Sequence, residues 1–288
     1  MATLIDNRYG KARVRVLKVN KNGDHHSVFD FDCCVLLKGD FSDTYYTGAN
    51  DKVVATDSTK NTVYLLAQSE QFKSVEEFGV IVGKHFLATY SHVSEVQVTI
   101  KENVWDRMRV TYEQREHDHS FVRSRDVHTA SIISVRGRPA QVTSGIEDLL
   151  IMKTTGSGFE GFYRDKYTTL KETKDRVFAT MVTASWTYNT ATNVNYVNAV
   201  AEFKKSVFDI FALTYSKSVQ ETLYIIAKTA LERVKEIDEI KLSLPNKHAF
   251  GFDFTRFEGV KNNNTVFQPV EEPSGLIEGT IKRAASKL

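Results

Sequence analysis

The chain is 288 residues long, room for two domains of ordinary size or one large one. Hydrophobic residues at 41% and charged residues at 26%, with 18 Phe and 12 Tyr to fill a core, exclude a natively disordered chain. Lys plus Arg (38) barely exceed Asp plus Glu (36), so no field that would gather nucleic acid or an anionic membrane is expected, and only 4 Pro argue against long linkers.

In chain order, Met1 to Arg8 lacks the apolar core of a signal peptide. Residues 12–19 alternate apolar and basic side chains, as a half-buried strand does. Asn22-Gly23 then predicts a type I′ hairpin turn into an apolar strand around 28–38. Cys33 and Cys34 lie in that strand; adjacent and without other Cys, they build neither a disulfide framework nor a thiolate zinc site. Ser74-Val-Glu-Glu77 is a capping box, and Val75, Phe78, Val82, His85 and Phe86 follow it at helical spacing. Val96, Val98 and Ile100 alternate with polar residues in the strand that follows.

The first half thus reads strand, strand, helix, helix, strand, and the second half repeats the order. Residues 180–188 alternate, helices are predicted over 197–213 and 218–234, and Ile240, Leu242 and Leu244 alternate again. Asn61–Ala67 and Glu221–Ala227 share a local pattern that supports duplication. The fold class expected is α+β: two similar units, 1–138 and 139–288, each an antiparallel sheet with helices on one face. The other face and the strand edges need covering, which predicts a homo-oligomer. No apolar run approaches the ~20 residues that span a bilayer, so a soluble, intracellular protein without membrane contact is expected.

Phosphate and dinucleotide fingerprints are missing, as is the Gly-x-Ser-x-Gly elbow. His117-Asp-His119 could set two imidazoles on one strand face as metal ligands or form a polar turn, and no third ligand is evident. His25-His26 reads as a solvated loop beside the turn. Thr56 and Asp57 stand at a helix start, where a cap and free N–H groups favour an anion or a heterocycle edge. Ser216–Gln220 is a second helix entrance presenting an amide, and in Leu244–His248 a Pro ends the ladder and polar side chains emerge. The last three residues, Ser286-Lys287-Leu288, match the tripeptide read by the peroxisomal import receptor, so a peroxisomal location is expected.

Several blocks together resemble urate oxidase (uricase). They are Tyr9-Gly-Lys11, Val54–Asp57 with Lys60–Tyr64, Lys153–Phe159, Arg164–Leu170, Asp175-Arg176, Ser218-Val-Gln220 and Ser243–His248, in family order over nearly the whole chain. Asp148 and Met152 depart from the family pattern, which has Gly and Leu there. The resemblance implies two tandem tunnelling-fold units per chain and a homotetramer stacked into a barrel, with active sites at subunit interfaces. It implies that Phe159 stacks on urate, that Arg176 and Gln220 read the pyrimidine edge with the Val219 N–H, and that Thr56 and Asp57 of a neighbouring subunit meet the five-membered ring. Lys11, Thr56 and His248 would form a proton relay, and Asn246 would hold O2 and then water above the ring. No metal or organic cofactor is implied. The products would be 5-hydroxyisourate and hydrogen peroxide. Another tunnelling-fold purine or pterin enzyme, or an inactive peroxisomal homologue, are the alternatives; the first would need metal ligands, and the second would be expected to have lost Lys11, Thr56 or His248.

Overall fold

The computed structural model of the protein describes residues 2–284, and the tripeptide Ser286-Lys287-Leu288 lies outside the described residues. The elements run β1 (Tyr9–Asn22), β2 (His25–Gly39), α1 (Ser42–Tyr46), α2 (Thr56–Ser69), α3 (Val75–Thr89), β3 (Val93–Val110), β4 (Arg115–Val135), β5 (Gln141–Lys153), β6 (Phe178–Tyr188), α4 (Tyr196–Leu213), α5 (Val219–Arg233), β7 (Ile237–Gly251), β8 (Phe267–Val270) and β9 (Leu276–Lys282). By packing, the chain forms two compact units. The first takes the chain up to Ile146 with Trp186–Val200; the second takes Glu147–Ser185 and the chain from Ala201 on. The boundary expected at 138/139 concerns chain order, whereas β5, β6 and α4 each contribute residues to both packed units.

In the first unit β1, β2, β3 and β4 pair antiparallel in sequence order. The period-two reading of β3 holds, for Val96, Val98 and Ile100 are fully buried. Phe78, Val82 and Phe86 of α3 are buried in the same core. The β1–β2 turn is shifted by one residue from the expected Asn-Gly pair. Asn22 faces His25, so Gly23 and Asp24 are the turn residues, and only Gly23 takes a positive φ, of 58°. A type I′ turn needs both central residues there.

The second unit carries β7 between its neighbours, with β9 and β8 both antiparallel to it. Pro245 does not end this strand. It pairs with Leu276 of β9, and from His248 onward β7 pairs with β8 instead, so the proline sits where the partner changes and its missing N–H is harmless. Asp148, where the family pattern has Gly, has φ of 61°, the left-handed backbone for which Gly is the undemanding choice.

The two units are built alike, in detail that the sequence echo misjudged. Ser74 Oγ accepts from Glu77 N before α3, and Ser218 Oγ accepts from Glu221 N before α5. In both, the same Glu accepts from the N–H just before the capping Ser. Arg136, after β4, donates to the Leu87, Tyr90 and Val93 carbonyls; Arg283, after β9, donates to those of Leu231, Val234 and Ile237. Each guanidinium thus ties the last turn of a helix to the start of the strand that follows it. These bonds pair α3 with α5, β3 with β7 and β4 with β9. The echo between Asn61–Ala67 and Glu221–Ala227 set α2 against α5, which are not equivalent helices.

Candidate active site

The expected site residues fall into two groups, one in each unit. In the second unit a cavity of about 530 Å³ is lined by Phe159, Arg176, Val219, Gln220, Asn246 and His248, among others. These come from the β5–β6 connection, the start of α5 and β7, and the fold brings all six together as the sequence blocks implied. Lys171 and Lys247 also line it, and no lining residue is acidic. The cavity therefore favours an anion with apolar faces.

Its wall is fixed by backbone pairing. Phe159 and Thr173 exchange two backbone hydrogen bonds, at 2.7 and 3.1 Å. Arg176 N donates to Ser157 O, and Arg176 Nε to Ser157 Oγ at 3.3 Å. The guanidinium lies 5.4 Å from the Phe159 ring centroid, and its two Nη groups make no hydrogen bond among the described residues. Burial pushes the Arg176 pKa down, yet guanidinium pKa values are so high that the charge stays. The result is a cation with a free two-pronged donor edge beside an aromatic face. Phe162 stacks on Phe159 at 5.0 Å and 11°, and His248 stacks on Phe250 at 5.6 Å and 16°.

The residues that hold this wall fall in or beside blocks noted in the sequence, but the sequence assigns them no part in the site. Gly158 has no room for a side chain, since a Cβ there would stand 2.2 Å from Tyr215 Oη and 2.9 Å from Thr173 O. Tyr215 Oη donates to Lys174 O, and Ser216 bridges Gly156 and Gly158 by backbone bonds. The Gly156-Ser-Gly158 spacing was the available signal. Lys153 Nζ donates to Thr214 O at 2.8 Å and lies over Phe211, and burial lowers its pKa.

The first unit gathers Lys11, Thr56 and Asp57. Gly10 packs its backbone on β2 so tightly that a Cβ would stand 1.9 Å from Val35 O, and a bulge follows Lys11, with Arg13 at φ 59°. Val54 N donates to Tyr9 Oη at 2.7 Å, tying the strand of Lys11 to the segment entering α2. Thr56 is the first residue of α2 and not its cap, because Ala55 holds the cap position and no side chain caps it. Thr56 and Asp57 are exposed. Asp57 binds Lys60 Nζ and Asn61 Nδ2, and Lys60 first, with Lys11 further off, holds its carboxyl below the usual range.

The histidines of the hairpin region are near one another but do not form a cage. His117 and His119 rings are 4.5 Å apart on β4, His26 is 5.6 Å from His119, and His25 pairs with Asp118. Both His25 and His26 begin β2 and are not loop residues. Among the described residues no three His, Cys, Asp or Glu side chains are grouped to hold a metal ion. Cys33 and Cys34 are free thiols. Among the described residues no helix is long and apolar enough to cross a membrane.

Fold and site together define a duplicated antiparallel α+β protein with a cationic, aromatic-walled pocket for a flat polar anion. The family profile described as Uricase matches residues 7–133 and 142–278. A uricase of Dictyostelium discoideum is 64% identical over the full length of both chains, and one of Arthrobacter globiformis is 41% identical over 98% of this chain and 90% of its own. The crystal structure of uricase from Arthrobacter globiformis superposes with a TM-score of 0.91, covering 100% of this chain and 97% of that one. The chain belongs to the uricase family, and its fold is the tunnelling fold that the resemblance implied.

Proposed function

We propose that this protein is a urate oxidase, converting urate, O2 and water to 5-hydroxyisourate and hydrogen peroxide. The observation that carries the reading is the pocket in which Phe159 and the free edge of Arg176 stand together among basic residues with no carboxylate. Phe159 supplies the flat apolar face. Arg176 reads the pyrimidine edge with two parallel N–H donors, while Gln220 both donates and accepts and the Val219 N–H adds a donor. Charge complementarity of this kind favours the urate anion over a neutral purine.

The chemistry asks the protein chiefly to remove protons. A urate dianion is electron-rich enough to reduce O2 directly, which gives a peroxide adduct; loss of hydrogen peroxide and addition of water complete the balance. Lys11, Thr56 and His248 are assigned the proton relay, with the Thr56 hydroxyl passing protons between Lys11 and substrate or water. The Tyr9–Val54 bond supports that assignment by holding the Lys11 and Thr56 segments together. Asn246 is assigned to O2 and the attacking water. The reaction is read as cofactor-free, as the resemblance to urate oxidase implies.

Thr56 and Asp57 are proposed to act on a neighbouring subunit's pocket within a barrel-shaped homotetramer. Support comes from apolar side chains left exposed on strands, Leu17, Val19, Leu150 and Met152 among them. Delivery to the peroxisome through the import receptor is proposed from Ser286-Lys287-Leu288. The test is to mix purified protein with urate in air and follow urate absorbance and peroxide release, before and after exhaustive chelation. Equal loss of urate and gain of peroxide, unchanged by chelation, is expected; no turnover, or turnover abolished by chelation, refutes the reading. Arg176→Ala should weaken urate binding by about 3 kcal/mol, roughly 100-fold, and an unchanged affinity places the site elsewhere.

A further inference from the structure

The hydrogen bonds shared by the two units give their register residue by residue. Ser74 falls on Ser218, Val93 on Ile237 and Arg136 on Arg283, each pair making the same bonds. Carried along the elements, Glu76 of α3 falls on Gln220 of α5, Glu102 of β3 on Asn246 of β7, and His128 of β4 on Gly275 just before β9. The cross-strand neighbours agree. Glu102 faces His128, and Asn246 N donates to Gly275 O at 2.8 Å.

In the second unit these positions leave a space. Gln220 is exposed and lines the cavity with Asn246, while Gly275 contributes no side chain. In the first unit the same three positions are closed on one another. His128 Nε2 meets Glu76 Oε1 at 2.9 Å and His128 Nδ1 meets Glu102 Oε2 at 2.8 Å. Glu76 is fully buried and His128 is 8% exposed. Ser144 Oγ donates to Glu76 Oε1 and meets Tyr188 Oη, while Glu76 Oε2 has no hydrogen-bond partner among the described residues. Two amides that face an open pocket in one unit are two carboxylates gripping a ring in the other.

We propose that the first unit contains a second heterocycle seat, built on the frame of the second unit's pocket and occupied from within by the imidazole of His128. The carboxylates decide its ligand class. Two acceptors on opposite sides select a small planar cation with N–H donors at both ends, of the imidazolium type, where the amides of the other unit suit a ring of mixed donors and acceptors. The first unit's part rests on bonds within that unit alone; only the description of the other pocket as a seat for urate rests on the proposed function.

The test is made on the full chain carrying His128→Gly. Thermal unfolding is followed with imidazole and with 1-methylimidazole, which cannot donate at one nitrogen. Imidazole should stabilise the variant saturably, with an affinity at least about tenfold that of 1-methylimidazole, and should leave the parent protein unmoved. Equal responses to the two, or none, overturn the proposal. Folding of the variant only in the presence of imidazole is the same positive result read on yield. If it folds in neither condition, Glu76→Gln/Glu102→Asn/His128→Gly, which carries the second unit's residues and no charge at these three positions, must fold and ignore imidazole; its failure also overturns the proposal. None of these readouts uses urate turnover, so a failed activity assay and a failed seat remain distinguishable.

Discussion

The buried Glu76–His128–Glu102 cluster makes a definite prediction about stability and pH. Burial alone would push the His128 pKa down; the Glu76 charge and the hydrogen bonds His128 donates to Glu102 and Glu76 outweigh it and hold the imidazolium up at about 10, against an ordinary 6.5. Burial would likewise raise Glu76, but the His128 charge wins and lowers it. A raised histidine pKa stabilises the fold fully below about 6.5, and that stabilisation is lost as the pH climbs through about 10. A lowered carboxylate pKa adds stability above the ordinary carboxylate range, lost as the pH falls through the native value. The plateau therefore lies between roughly pH 4.5 and 6.5. At about 1.4 kcal/mol for each tenfold change in protonation, the rise to about 10 corresponds to about 5 kcal/mol. Breaking a buried pair typically costs about 3–5 kcal/mol. Glu76→Gln keeps the shape and removes one of the two negative charges facing His128, so it should cost about 3 kcal/mol at pH 6.5 and little at pH 10. Urea unfolding read by Trp186 fluorescence measures this locally. That indole is buried and donates to Tyr188 Oη at 2.8 Å, next to Ser144 and Glu76. Trp105, which is partly exposed, is replaced by Phe as background. A cost independent of pH from 6 to 10 would refute the reasoning.

Lys11→Met should lower kcat by about 10²–10⁴ while urate affinity changes little, and a loss confined to affinity would contradict a relay role. Gly158→Ala forces a Cβ against Tyr215 Oη and Thr173 O. Overpacking of this kind costs about 1–3 kcal/mol, to be seen as a raised KM with the unfolding of the first unit unchanged. Removing Ser286-Lys287-Leu288 should leave an active enzyme in the cytosol, and continued peroxisomal import of a fluorescently tagged truncation would place the address elsewhere.

Much of the local architecture is legible in the chain because its causes are local. Period-two alternation in β3, the Ser-Val start of α3 and α5, and the apolar stripe of Phe78, Val82 and Phe86 depend on neighbours within a few residues. The family blocks named Phe159, Arg176, Val219, Gln220, Asn246 and His248, and the fold gathers these six around one cavity. Where a local rule competed with a distant partner, the distant partner won. Pro245 reads as a strand end, yet β7 continues because β8 takes over from β9. Thr56 reads as a cap, yet it lies one residue inside α2.

What the sequence determined by itself was therefore the type of the elements whose patterns are local, the duplication and the family, whereas α1, β4, β5, β8 and β9 emerge only in the folded chain. Tertiary structure alone decided that Glu76, an unremarkable acid in a capping box, is a buried ion partner of a histidine 52 positions away. It also decided which helix of one unit corresponds to which of the other. The physical reason is range: propensity and periodicity act over one or two turns, whereas the partner that neutralises a buried charge is chosen by packing and can come from anywhere in the chain.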